Sequence, residues 1–266
     1  MLELEYCELT DTGTVREHNE DFIGHYRPAS PEEGRTHGWL FVLADGVGGQ
    51  DRGEVASKNA VESVIEGFRI APRGEALTAS LPRIVQKANL NVYETGRAAS
   101  PGGVNMATTI VVCALRYDRA VIAHVGDSRC YLIRHGIARQ LTRDHTVVAD
   151  QMRLGFLSAR EAEESEKRHL LSRSLGSDLF VNVDIADQQV HVGDALLLCS
   201  DGLYGSVKPA DIANTVSFNP NPAVAAAKLV ELARERDGGD NISVQLIRVR
   251  DVERMGMYRG RPYKLR

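Results

Sequence analysis

Four aspartates in this 266-residue chain share one setting. Asp45 stands in VLADG, Asp127 in AHVGDSR, Asp201 in LLCSDG and Asp240 in GGDNISV, each against a glycine and beside an apolar run. Asp-Gly is a common turn pair, so one instance means little. Helix-like sequence follows Asp45-Gly46 and Asp201-Gly202, so these two do not close hairpins. Carboxylates gathered at one sheet edge repel, and protons or cations must relieve the crowding. All-oxygen donors select Mg²⁺ or Mn²⁺ over zinc. The glycines let a backbone carbonyl and water approach an ion without side-chain obstruction. Two such ions, about 3.5–4 Å apart, hold a shared water, lower its pKa and aim it in line at a phosphoryl group. That chemistry also needs a cation on the phosphate oxygens, and the planar fork of arginine suits it. The segment GTVREHNEDFIG supplies Arg16, with Glu20 and Asp21 close behind.

Regular elements must deliver these groups. Apolar runs predict strands near 3–10, 39–44, 107–116, 119–125, 129–134, 181–187, 195–199 and 242–249. Helical stripes run through Ala56, Ala60, Val61, Val64 and Phe68, through Leu81, Ile84, Val85, Ala88 and Val92, and through Ala225, Leu229 and Ala233. Two helices in succession, then a block of strands, do not make the alternation of a parallel doubly wound sheet. The order predicts an α+β fold with mainly antiparallel sheets covered by helix pairs. RYDRA and RHGIA carry turn signals between neighbouring strands. Residues 145–175 are short, charged helical pieces that interrupt the strands as a surface excursion. We expect one domain over 1–249, and a mobile basic tail over 250–266, where six basic and two acidic side chains show little apolar pattern.

Composition excludes several classes. The formal net charge of −4 offers no basic field for nucleic acid. The opening MLELEYCELTDTG alternates and does not read as a signal peptide. No run reaches the roughly 18 apolar residues of a membrane span. Cys7, Cys113, Cys130 and Cys199 form no C-x-x-C pair and read as small hydrophobes in a reducing cytoplasm. Cys113 and Arg119 have the C-x5-R spacing of a cysteine phosphatase, but the intervening loop lacks glycine and carries Asp118. Gly46-Val47-Gly48 nearly opens a dinucleotide fingerprint. Its sixth position is Asp51, and Asp45 would face the pyrophosphate with like charge. Ser128 and Ser200 lack a G-x-S-x-G context. His124 reads as a packed histidine, and His145 as shaping the loop after Asp144.

REHNED at 16–21, ADGVGG at 44–49, ATT at 107–109, VGDSR at 125–129, LTRDH at 141–145, RSLG at 173–176, LLLCSDGL at 196–203 and GGDNISV at 238–244 make an ordered series along the chain. In that order they resemble the motifs of the metal-dependent type-2C Ser/Thr protein phosphatases of the PPM family, in their bacterial branch. The resemblance implies a four-layer α/β/β/α sandwich, two antiparallel sheets flanked by helix pairs, with 145–175 as its flap. It implies hydrolysis of phosphoserine and phosphothreonine in proteins by a water or hydroxide bridging two Mg²⁺ or Mn²⁺ ions. Asp45 would bridge the ions, the Gly46 carbonyl would bind one, and Asp201 and Asp240 would complete the other. Asp127 and Asp201 would hold a third, weaker ion found in many members. Arg16 would orient the phosphate, Glu20 and Asp21 would act through waters or as supports of the ligands, and Asn241 would support Asp240. Partners would be phosphoproteins made by a bacterial Ser/Thr kinase in the cytoplasm. A relative that has lost turnover is the competing expectation, but every expected acidic ligand is present. Two departures stand out: Val47 replaces a histidine that many eukaryotic members offer as the leaving-group acid, and ATT replaces GTT or GST.

Overall fold

The computed structural model describes residues 2–47, 52–99, 106–163, 165–258 and 261–264. In chain order, β1 (Glu3–Asp11) and β2 (Asp21–Tyr26) precede α1 (Pro31–Thr36) and β3 (Trp39–Asp45). Two helices follow, α2 (Gly53–Arg69) and α3 (Leu77–Ala98). The strand block is β4 (Ile110–Arg116), β5 (Arg119–Val125), β6 (Arg129–Arg134) and β7 (Ile137–Gln140). The flap carries α4 (Val147–Arg153) and α5 (Ala159–Glu163), and β8 (Asp184–Gln189) and β9 (Ala195–Cys199) come next. The chain continues through α6 (Asp201–Tyr204), α7 (Pro209–Phe218), α8 (Pro222–Arg236) and β10 (Ile242–Asp251) to β11 (Met255–Tyr258) and β12 (Arg261–Lys264).

Two five-stranded sheets result, ordered β1-β10-β9-β6-β7 and β2-β3-β4-β5-β8. Every neighbouring pair is antiparallel. Period-2 alternation decides what each strand touches. Along β3, Phe41 and Leu43 face the other sheet, where they meet Leu196, Leu198 and Ile247. Leu40, Val42 and Ala44 face outward onto Ala60, Val64, Leu81 and Val85 of α2 and α3. The other sheet turns Leu197, Cys199, Val244 and Leu246 toward Leu203, Ile212, Leu229 and Ala233 of α6, α7 and α8. Both faces of the central strands are thus buried, so they read as unbroken apolar runs rather than alternating ones. Truncating a fully buried leucine here to alanine would cost about 2–5 kcal/mol. The architecture is the α+β sandwich of helices, sheet, sheet and helices.

Some elements escaped the sequence pattern. In β2, DFIGHY is interrupted by Gly24 and His25, and in β7, IARQ is short with exposed Ile137 and Arg139. Pairing with β3 and β6 makes both of them strands. The helix α1 has only six residues, begun by Ser30 accepting the Glu33 N–H at 3.1 Å and by Pro31. The segment expected to be a mobile tail is partly ordered. β10 runs to Asp251, and Glu253 is buried and bonded by Arg35 at 3.0 Å. β11 and β12 then pair as a hairpin.

Candidate active site

Strand ends place the acidic groups. β3 ends on Asp45, β2 begins on Asp21, Asp127 follows β5, Asp201 opens α6 after β9, and Asp240 precedes β10. Antiparallel register sets Asp21 opposite Asp45. A cleft of about 610 Å³ is lined by Asp45, Gly46, Asp127, Asp201 and Asp240, with Arg16, Glu20 and Asn241 at its wall. Asp21 lies buried behind them. Residues between 16 and 241 in the chain therefore meet in one place.

Hydrogen bonds hold the loops that carry these groups. Asp45 N donates to Thr109 Oγ1 at 3.0 Å, and its carbonyl accepts Thr109 N at 2.8 Å and Thr108 Oγ1 at 2.8 Å. The carboxylate of Asp45 is left to the cleft. Asn241 ties the N-terminal loop to the end of the other sheet. Its Oδ1 accepts Glu20 N at 2.8 Å, and its Nδ2 donates to Thr12 O at 2.9 Å and His18 O at 3.0 Å. Its own N–H donates to Asp240 Oδ1 at 2.9 Å. Ser200 Oγ donates to Asp21 Oδ2 at 2.7 Å. The other carboxylate oxygen of Asp21 is buried with no hydrogen-bond partner.

Burial and mutual repulsion raise the affinity of these groups for protons. Burial, then the charges of Asp21, Asp201 and Asp127, pushes Asp45 well above the usual carboxylate range. Burial pushes Asp21 up to about 7, against the hydrogen bonds of Ser243 and Ser200. It pushes Asp127 up to about 7 as well, with help from Asp201 and Asp144. Glu20 is raised by burial. Such crowding is relieved by divalent cations better than by protons.

The donor set fits hard cations. All its side-chain donors are carboxylate oxygens, and the orphaned Asp21 Oδ1 points to a missing positive partner. A Cβ at Gly46 would lie 2.4 Å from Gly53 O and 2.9 Å from Glu20 O, so only glycine brings its carbonyl to this corner.

Two placements differ from, or add to, the expectations. Arg16 Nη2 is bonded to Asp240 Oδ2 at 2.9 Å, so in this structure the guanidinium engages a carboxylate of the site itself. His169, from the flap, lines the cleft with Nδ1 3.6 Å from Asp201 Oδ2, and that contact raises its pKa. The sequence carried no sign of this, because a lone histidine in a charged segment has no spacing to mark it. Thr109 also lines the cleft, and its signal was present in the ATT motif.

Comparison with known proteins agrees with this geometry. The family described as Protein phosphatase 2C matches residues 19–232. The serine/threonine phosphatase stp of Listeria innocua is 33% identical over 256 residues, covering 95% of this chain and 96% of that protein. Protein phosphatase PhpP of Streptococcus pneumoniae is 32% identical over 253 residues, covering 94% and 99%. Among solved structures, Stp1 from Staphylococcus aureus superposes with a TM-score of 0.85 at 29% identity, covering 94% of this chain and 96% of that one. The catalytic domain of PstP, described in complex with 2 manganese ions, gives 0.80 at 32% identity, covering 94% and 100%. With a family match across most of its length and relatives aligned nearly end to end, the chain belongs to the protein phosphatase 2C family and is a protein serine/threonine phosphatase.

Proposed function

We propose that this enzyme hydrolyses phosphoserine and phosphothreonine in proteins with two Mn²⁺ or Mg²⁺ ions held by Asp45, the Gly46 carbonyl, Asp201 and Asp240. Asp127, with Asp201, takes a third and weaker ion. The observation that carries this reading is the meeting of these carboxylates in one cleft, backed by an orphaned oxygen of Asp21. Bound there, a divalent pair would supply an acidified water and would neutralise charge on the phosphoryl oxygens.

The protein's own groups do the rest. Arg16 orients the phosphate. Its fork has five donors and the bond to Asp240 engages Nη2, which leaves donors over for phosphate at the cleft wall. Asn241 keeps Glu20 and the 12–20 loop beside Asp240, so that arginine and ligands share one frame. Glu20 and Asp21 act through water or as supports of the ligands. Thr108 and Thr109 hold the Asp45 backbone so that its carboxylate faces the cleft. Val47 brings no proton to the leaving alkoxide, so that proton comes from another group or from water.

The catalytic domain is residues 1–249, followed by a basic segment over 250–266 whose first residues, Arg250 and Asp251, finish β10. Substrates are phosphoproteins made by a Ser/Thr kinase in the cytoplasm. Among the described residues, no helix is long and apolar enough to cross a membrane. The flap at 145–175 acts on protein substrates more than on a small phosphoester.

The test is phosphopeptide hydrolysis with and without a chelator, followed by readdition of each metal. Release should vanish on chelation and return with Mn²⁺ or Mg²⁺. Full release in the chelated enzyme, or none with metal bound between pH 7 and 9, would overturn the reading.

A further inference from the structure

We propose that His145 is a positioning residue of this reaction: it clasps the Gly126–Asp127 corner and fastens both stems of the flap to it. The inference rests on the reading above in one respect, that Asp127 belongs to the metal-holding set.

The clasp has two points. His145 N donates to Gly126 O at 3.0 Å, and Gly126 N donates back to the ring Nδ1 at 3.2 Å. Gly126 has φ +101°, and a Cβ there would lie 2.7 Å from Thr109 Cβ. The corner therefore has no side chain of its own to hold it, and the histidine takes that part. Thr109 Oγ1 and Ser128 Oγ, 2.6 Å apart, close the other side of Asp127. His145 is also where the flap leaves the sheets. The returning stem meets it through Ser172 N, which donates to His145 O at 2.9 Å, and the bridge between Thr146 and Leu171 extends that pairing. One residue thus touches the corner and both stems.

The surroundings select one form of the ring. Nδ1 accepts a backbone N–H, so it is bare, and the neutral ring carries its hydrogen on Nε2. Nε2 lies 3.3 Å from Asp184 Oδ2, which takes its hydrogen, and 3.4 Å from Arg173 Nη1, which donates at 3.0 Å to Asp184 Oδ1. His124 stacks on the ring at 4.8 Å and 17°, and burial with that neighbour pushes the His145 pKa down to about 4. The ring is accordingly neutral, and the acceptor intact, across the working range.

His124, His145 and Asp184 bring potential ligand atoms within 4.8 Å of one another, which invites a metal reading. Charge argues against it. Asp184 already receives Arg143 Nη2 at 2.9 Å and Arg173 Nη1 at 3.0 Å. A divalent ion would join two guanidinium groups around one carboxylate, and the His145 Nδ1 lone pair is engaged by Gly126.

The test compares His145→Asn with His145→Gln and reads the ring by ¹⁵N NMR of histidine-labelled enzyme. Asparagine sets an amide oxygen near the Nδ1 position and keeps the acceptor for Gly126. Glutamine reaches toward Asp184 and loses that acceptor. His145→Asn should keep kcat within about threefold of wild type and leave the weakest step of a Mn²⁺ binding titration in place. His145→Gln should lower kcat about tenfold or more and weaken that step, with little change in the tight steps or in KM for a small phosphoester. The wild-type ring should show the neutral Nε2–H form at pH 7. Equal losses in the two variants, or an Nδ1–H or charged ring at pH 7, would overturn the inference. Thermal melting of both variants separates unfolding from mispositioning. A silent Asp127→Ala would sink the metal reading of Asp127, while the ring spectrum and the Asn–Gln contrast would still decide the clasp.

Discussion

At the cleft, Asp21, Asp45, Asp127, Asp201 and Asp240 crowd together, and among the described residues only Arg16 and His169 come within ion-pair range of any of them. Elsewhere, several buried or half-buried carboxylates are matched. Asp194, 3% exposed, takes Arg134 at 2.8 and 2.7 Å, and Asp144 takes Arg129 at 3.0 and 2.6 Å. Asp184 takes Arg143 and Arg173. The matched groups hold the fold and ask for nothing from outside. The cleft is short of positive charge by construction, and that shortage is what a metal-dependent site needs. Acidic residues alone do not mark function; acidic residues left without their cations do.

The largest effect should come from the unmatched side. Asp45→Asn should lower kcat on a phosphopeptide by at least about a thousandfold, which is about 4 kcal/mol of barrier. Its chelated form should melt no lower than the chelated parent, because a repulsive charge is gone. Wild-type turnover in this variant would erase the contrast. Arg134→Ala tests the matched side. It strands a buried carboxylate, so the denaturant midpoint should show a loss of about 3 kcal/mol with kcat intact. Lost turnover without lost stability would mean the pair is not merely structural. Arg16→Ala should be smaller, a fall in kcat/KM of about tenfold with the Mn²⁺ midpoint unchanged. A shifted midpoint would assign Arg16 to Asp240 rather than to phosphate.

The smallest effect is a slope with pH. Asp21 and Asp127 are pushed up to about 7 in the folded protein, against an ordinary 3.8. Between those values the folded state binds more protons than the unfolded state, so stability declines as pH rises. The melting temperature of the chelated enzyme should fall steadily from pH 5 to 7.5. Excess Mn²⁺ should flatten the slope. A rise over this range without metal would show that the carboxylates are not crowded as described.

Much of this was legible beforehand. The runs WLFVLAD, IVVCALR and ALLLC announced central strands because both of their faces are buried. The stripes of α2, α3 and α8 announced their inner faces. β2 was not legible, since its hydrogen-bond partner β3 lies elsewhere in the chain and Gly24 breaks its pattern. The hairpin of β11 and β12 was missed for a similar reason: RPYK and MGMY have little apolar alternation, and pairing defines them. At the cleft, Asp45, Asp127, Asp201 and Asp240 each showed themselves by a glycine and a strand, and Asp21 by its place in REHNED. His169 and the Gly126–His145 clasp did not, because both are contacts between the flap and a distant turn.

Residue types, glycine positions and periodicity thus set the fold class and the acidic candidates, because these follow from local chemistry and the two-residue repeat of a strand. Which carboxylates share a rim, which oxygen goes without a partner, where Arg16 rests and what steadies Asp127 were settled by the sandwich itself. Those are distances between residues as much as 224 positions apart along the chain, and chain order does not encode them until the sheets have paired.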